Sequence, residues 1–95
     1  MKQSYVYIMT SMNHRAIYIG VTSNLVKRVY EHKNGLCDGF TKRYHCTKLV
    51  YFEVFDNIDE AINREKYLKG KKRDFKIALI EKQNPKWRDL YDDIL

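Results

Sequence analysis

YVYIMTSMNHRAIYIGV, residues 5–21, decides the fold. Residues 4–9 (SYVYIM) and 16–21 (AIYIGV) each alternate as strands do, and TSMNHR between them is a polar turn. The two strands are predicted to pair as a hairpin. With symmetric closure Met9 faces Ala16, Ile8 faces Ile17, Tyr7 faces Tyr18 and Val6 faces Ile19. Directly opposed residues share a sheet face. One face then carries Val6, Ile8, Ile17 and Ile19 and is core. The other carries Tyr5, Tyr7, Tyr18 and Gly20, a polar-tipped surface with room above it. A slip of one residue would mix the two faces, which argues for the register.

Downstream, Thr22 or Ser23 offers an N-cap for a helix over 24–33. Leu25, Val26 and Val29 form its apolar stripe, and Gly35 ends it. Residues 36–48 read as irregular, with a turn of helix near 41–45. LVYFEVF, residues 49–55, is an almost unbroken apolar run that predicts a third strand covered on both sides. Asp56 or Asn57 caps a helix over 58–69, which Gly70 terminates. Another helix is expected over 72–82. NPKWRDLY, residues 84–91, then opens a short last helix with Asn84 as cap and Pro85 in first position. The order ββα-βααα predicts an α+β fold, a small three-stranded antiparallel sheet flanked by helices.

A chain of 95 residues fits one domain, expected over 1–95, and 44% hydrophobic residues suffice for a small core. No apolar run is long enough for a transmembrane helix. MKQSYVYIM is too short for the apolar region of a signal peptide, so a cytoplasmic location is expected. The chain is also expected to be a monomer. Cys37 and Cys46 are expected as reduced thiols, since a zinc site would need further close ligand pairs.

The net charge is +6. Residues 1–48 hold 8 Lys or Arg against 2 Asp or Glu, and residues 49–95 hold 10 against 10. The excess positive charge therefore lies in the first half. The second half keeps a basic cluster of Lys69, Lys71, Lys72, Arg73 and Lys76. Such charge favours a polyanionic partner. Lys27, Arg28, Lys33, Lys42, Arg43 and the 69–76 cluster are the expected nucleic-acid contacts.

Glu65 sits three after Ile62 and three before Leu68, on the inward stripe of its helix. A buried carboxylate is costly unless paired or metal-bound. A pair with Lys69, four residues on, would account for it without any function. Arg28 and His32 also stand four apart and share a helix face; two solvated helix residues are the ordinary explanation. Tyr7 and Tyr18 could relay a proton or orient a water, or could simply pack. Together a carboxylate, a guanidinium, an imidazole and two phenols suit phosphodiester hydrolysis. The carboxylate holds Mg²⁺, the arginine neutralises developing charge, and histidine or tyrosine activates water.

The segments YVYIM (5–9) and YIG (18–20), then Arg28 and His32, then REK (64–66), resemble the GIY-YIG nuclease superfamily. GFTKRY (39–44), KLVYFE (48–53) and NPKWRDLY (84–91) resemble its small standalone bacterial members. The resemblance implies catalytic roles for Tyr7, Tyr18, Arg28, His32, Glu65 and Asn84, with Glu65 as the single protein ligand of Mg²⁺ or Mn²⁺. Tyr18, assisted by His32, is the expected water-activating group. The first motif lacks its glycine, reading Tyr5-Val6-Tyr7, and Val21 stands where some relatives carry a lysine. The expected activity is endonucleolytic hydrolysis of DNA, on branched or damaged substrates, with RNA also open and an accessory protein compatible. The competing expectations are a non-catalytic basic nucleic-acid-binding module and an interaction subunit of a DNA-repair assembly.

Overall fold

The computed structural model describes residues 2–95. The hairpin forms from β1 (Ser4–Thr10) and β2 (Ile17–Thr22). Its register differs from the symmetric closure by two residues. Tyr7 faces Gly20, Ile8 faces Ile19 and Met9 faces Tyr18. The loop keeps its six residues but lies one residue further along, at 11–16, because Ser11 organises it. The Ser11 hydroxyl donates to Asn13 and accepts from the Ala16 N–H, and the Ser11 N–H bonds the Ala16 carbonyl. A shift of two keeps every side chain on its face, so Tyr7 and Tyr18 still share one.

The third strand, β3 (Lys48–Phe55), lies antiparallel to β1 on its other side, giving the order β2-β1-β3. A bulge interrupts β1–β3 pairing between Ile8 and Met9, where Ile8 faces Tyr51 but Met9 faces Leu49. The extra residue, Val50, therefore joins its neighbour Tyr51 in the same core cluster. The expected burial of β3 on both sides holds only for its first half: Leu49, Val50 and Tyr51 are buried, Val54 is exposed.

Both faces of the sheet are covered. On one, Val6, Ile8, Ile19 and Val50 pack with Ala61 and Leu68 of α3 (Ile58–Lys69) and Ile80 of α4 (Arg73–Gln83). On the other, Tyr7, Met9 and Leu49 pack with Leu25 and Val29 of α1 (Leu25–Lys33) and with Cys46. The tyrosine face is thus no open surface, because the Leu25/Val29 stripe closes over it. Short α2 (Phe40–Arg43) follows α1, and α5 (Tyr91–Ile94) ends the chain beside it.

Three caps depart from expectation or decide between alternatives. Asn24 caps α1 through its side chain, accepting from the Lys27 N–H, while Thr22 stays in β2 and accepts from Asn24. Asn57 caps α3. Asn84 caps no N-terminus: it ends α4, and its amide donates to the Val50 and Arg88 carbonyls while its oxygen accepts from the Arg88 N–H. Pro85 accordingly opens no helix. The turn it enters places Trp87 at φ 55, with the ring stacked on His14.

Gly20 is required by its neighbour. A Cβ there would stand 2.5 Å from Cζ of Tyr7, so the Tyr7 ring occupies the space a side chain would fill. Gly20→Ala should cost about 1–3 kcal/mol by overpacking, a fall in melting temperature of several degrees for a chain of this size. Unchanged melting of that variant would show that the ring does not rest on the glycine.

Candidate functional site

Strand alternation points Tyr7 into the α1 face, where it is 1% exposed. A phenol so deeply buried needs a partner. His32 supplies it: the Tyr7 hydroxyl lies 2.8 Å from His32 Nε2. The other ring nitrogen, Nδ1, lies 2.9 Å from the Thr41 hydroxyl. His32 and Thr41 are themselves buried, so phenol, imidazole and hydroxyl form a closed chain linking β1, α1 and α2. Tyr18, half-buried, joins by ring packing, 6.3 Å from Tyr7 and 5.5 Å from His32 between centroids.

Burial holds the Tyr7 hydroxyl proton tightly and pushes its pKa well above the ordinary tyrosine range. Tyr18, Cys37 and Glu65 reinforce that shift, and the Arg28 charge opposes it. Both charged candidates therefore act on the Tyr7 hydroxyl. His32 is shifted down, first by burial and then by Arg28, against the opposing charge of Glu31. It is a neutral imidazole at neutral pH.

The Arg28 side chain is 44% exposed and, among the described residues, pairs with Glu31 at 3.4 Å, three residues on along α1. A pair that exposed holds the arginine weakly. The Glu65 side chain is only 16% exposed and meets Lys69 at 3.5 Å, as the non-functional explanation anticipated. That distance is long for a charge-assisted hydrogen bond, so the carboxylate keeps most of its acceptor capacity.

The position of Glu65 is set by its neighbour. Arg64 makes a two-pronged bond to Glu53 of β3, at 2.9 and 3.0 Å. Burial pushes the Glu53 carboxyl up, but Arg64 and the Tyr51 hydroxyl bind its anion and leave it below the usual range. This clamp fixes α3 against the sheet. Sequence reasoning missed it, although Arg64 lies in the REK segment and Glu53 in KLVYFE, because neither segment shows that the two side chains meet. Thr41, also missed, lies in the GFTKRY segment, which could have flagged it.

Asn84 is not brought to this cluster. Its bond to Val50 places it at β3, the sheet edge opposite β2. The basic residues also separate. Lys33 is bound to Asp89 and to the Thr47 carbonyl. Arg73 donates to the carbonyls of His14 and Arg15, and Lys71 lies over the Tyr67 ring. Lys69 and Lys76 line a depression with Tyr18 and Phe40. Lys27, Lys42, Arg43 and Lys72 are exposed. Cys37 and Cys46 are free thiols, and burial pushes Cys46 up to about 11. Among the described residues no helix is long and apolar enough to cross a membrane.

Residues 3–78 match a family described as the GIY-YIG catalytic domain. A UPF0213 protein of Clostridium perfringens (strain 13 / Type A) is 41% identical over 83 residues, covering 87% of this chain and 88% of its own. A UPF0213 protein of Syntrophus aciditrophicus (strain SB) is 37% identical over 86 residues, covering 90% and 97%. The solution NMR structure of a UPF0213 protein from Bacillus halodurans shares the fold, with TM-score 0.58, 24% identity and 92% of each chain covered. The family match takes in Tyr7, Tyr18, Arg28, His32 and Glu65 and stops short of Asn84.

His32 also sets a pH dependence. Its folded pKa lies below the unfolded value near 6.5, so the folded state binds fewer protons. Stability is then full above about pH 6.5 and falls as the pH drops through the folded value. Melting temperatures from pH 7.5 to 5 should fall for the wild type and fall less for His32→Gln. His14, also shifted down by burial and Lys48, contributes equally to both proteins. Identical slopes would show that His32 does not set the pH dependence.

Proposed function

We propose, from the premise that this chain belongs to the GIY-YIG catalytic-domain family, that it is a divalent-metal-dependent endonuclease hydrolysing DNA phosphodiester bonds. The observation that carries the reading is the convergence of Tyr18, Arg28 and Glu65 around the buried Tyr7–His32 pair. Arg28 and Glu65 both act on the Tyr7 hydroxyl, and Glu65 pairs with Lys69, whose ammonium lies 5.9 Å from the centre of the Tyr18 ring. A guanidinium and a carboxylate so placed form a donor set for a phosphate and a cation.

Glu65 suits a cation with little else from the protein. Among the described residues no group of three or more His, Cys, Asp or Glu could hold a metal ion. Mg²⁺ tolerates this, since it keeps several waters and binds through one or two carboxylates plus substrate phosphates. Bound there, Mg²⁺ or Mn²⁺ supplies Lewis-acid polarisation of the phosphate. Arg28, released from Glu31, presents a planar fork to the phosphate oxygens. Tyr18 is the half-exposed member of the phenol pair and so the one that meets the attacking water. Tyr7 keeps its proton and fixes the imidazole; His32 assists through Tyr7, because both its nitrogens are engaged. The phosphate contribution to strand binding comes from Lys27, Lys42, Arg43, Lys69, Lys72 and Lys76, with about three to six phosphate contacts and a salt slope of roughly −0.9 for each.

Oligonucleotide cleavage with and without Mg²⁺ tests this. Glu65→Ala should fold normally and cut nothing. Arg28→Lys should retain DNA binding and its melting temperature but cut about 10²–10³-fold more slowly. Wild-type cleavage by Glu65→Ala would overturn the reading. Binding without cleavage by the unaltered protein would favour a non-catalytic basic module.

A further inference from the structure

Two large aromatic rings stand open beside this site. Phe40 and Tyr44, at the start and the C-cap of α2, are 44% and 45% exposed. They continue a series that begins at Tyr18. Tyr18 and Phe40 are stacked at 6.2 Å between centroids, and Phe40 and Tyr44 lie at 4.7 Å. Cations flank the series: Arg43 is 5.4 Å from the centre of the Tyr44 ring and Lys69 is 5.9 Å from that of Tyr18. Among the described residues Lys42 pairs with Asp38, at 3.8 Å. Tyr18 and Phe40 line a depression of about 230 Å³ together with Lys69 and Lys76.

Aromatic rings left in water forgo a large burial gain. Neighbouring exposed rings bordered by cations form a surface suited to a ligand that is both flat-faced and anionic. The cations select an anion, and the ring faces select a ligand with flat faces of its own. In duplex DNA the base faces are already stacked within the helix, whereas unpaired bases offer theirs. We propose that Tyr18, Phe40 and Tyr44 form a stacking ladder for consecutive unpaired bases of single-stranded DNA. Arg43, Lys42 and Lys69 hold the phosphates alongside. The ladder delivers the strand to the Tyr18 end of the site. Cleavage of the delivered strand rests on the nuclease reading, but binding on the ladder does not require cleavage.

The test is fluorescence anisotropy in EDTA with three probes: an oligothymidylate of about twelve nucleotides, a duplex of the same length, and an abasic phosphodiester of the same length. The wild type should bind the oligothymidylate most tightly. Phe40→Ala and Tyr44→Ala should each weaken that binding by roughly 5- to 150-fold. Neither should alter binding of the other two probes, or the salt slope, because no charge is lost. Phe40→Trp should keep the binding, and its fluorescence should be quenched by the bound strand. It serves as the folded reference should an alanine variant melt early. Equal binding of oligothymidylate and abasic probe by the wild type would overturn the ladder. So would alanine variants that bind like the wild type, or that lose all three probes alike. Glu65-dependent cleavage without base-dependent binding would fail the ladder alone. Base-dependent binding without cleavage would fail the nuclease reading alone.

Discussion

The Tyr7 ring lies across Gly20 of the neighbouring strand, and much of the molecule depends on that contact. The ring fills the place of a side chain and drives its hydroxyl into the interior. A buried hydroxyl without a partner would cost about 1–3 kcal/mol. His32 removes that cost, and to do so α1 must lie over the tyrosine face of the sheet. Leu25 and Val29 seat the helix there. The imidazole then needs a partner for its second nitrogen, and Thr41 brings α2 in. Because Phe40 precedes Thr41, the same bond sets the exposed aromatic ring beside Tyr18. A packing contact between two strands thus fixes the placement of two helices and of the surface around them.

The other face works independently. Arg64 and Glu53 clamp α3 to β3, and Glu65 follows from the clamp by one residue. Arg28 comes from α1 and Glu65 from α3, so the two charges act on Tyr7 from elements on opposite faces of the sheet. Their opposed effects on Tyr7 register this arrangement: Arg28 eases release of its proton and Glu65 hinders it. The phenol keeps its proton because burial outweighs both.

Alternation of apolar residues in 4–9 and 16–21 made the hairpin and its two faces legible in the sequence. It could not set the register, because a shift of two leaves alternation unchanged. The decisive information was the Ser11 hydrogen bonding in the loop, which periodicity does not carry. The helix over 58–69 was legible from its stripe and its caps. Asn84 and Pro85 imitated a helix start because an asparagine satisfies the backbone in a turn as readily as at an N-cap. Within the candidate site the residue types were legible, together with their helical and strand faces. The pairing was not. That His32 serves Tyr7 depends on which ring is buried, and burial of the tyrosine face was hidden by its polar tips. Phe40 and Tyr44 fell in a stretch without period, where sequence offers no face to assign.

The central claim is that the chemistry sits at the β2 edge, with Glu65, Tyr18 and Arg28 gathered over the Tyr7–His32 pair. Paramagnetic broadening by Mn²⁺ locates a bound cation without relying on catalysis. With Mn²⁺ added at substoichiometric levels, the NMR signals of Glu65, Tyr18 and Arg28 should broaden first and those of Asn84 and Trp87 should stay sharp. Broadening centred on the Asp89–Asp93 tail or spread evenly over the surface would contradict the account.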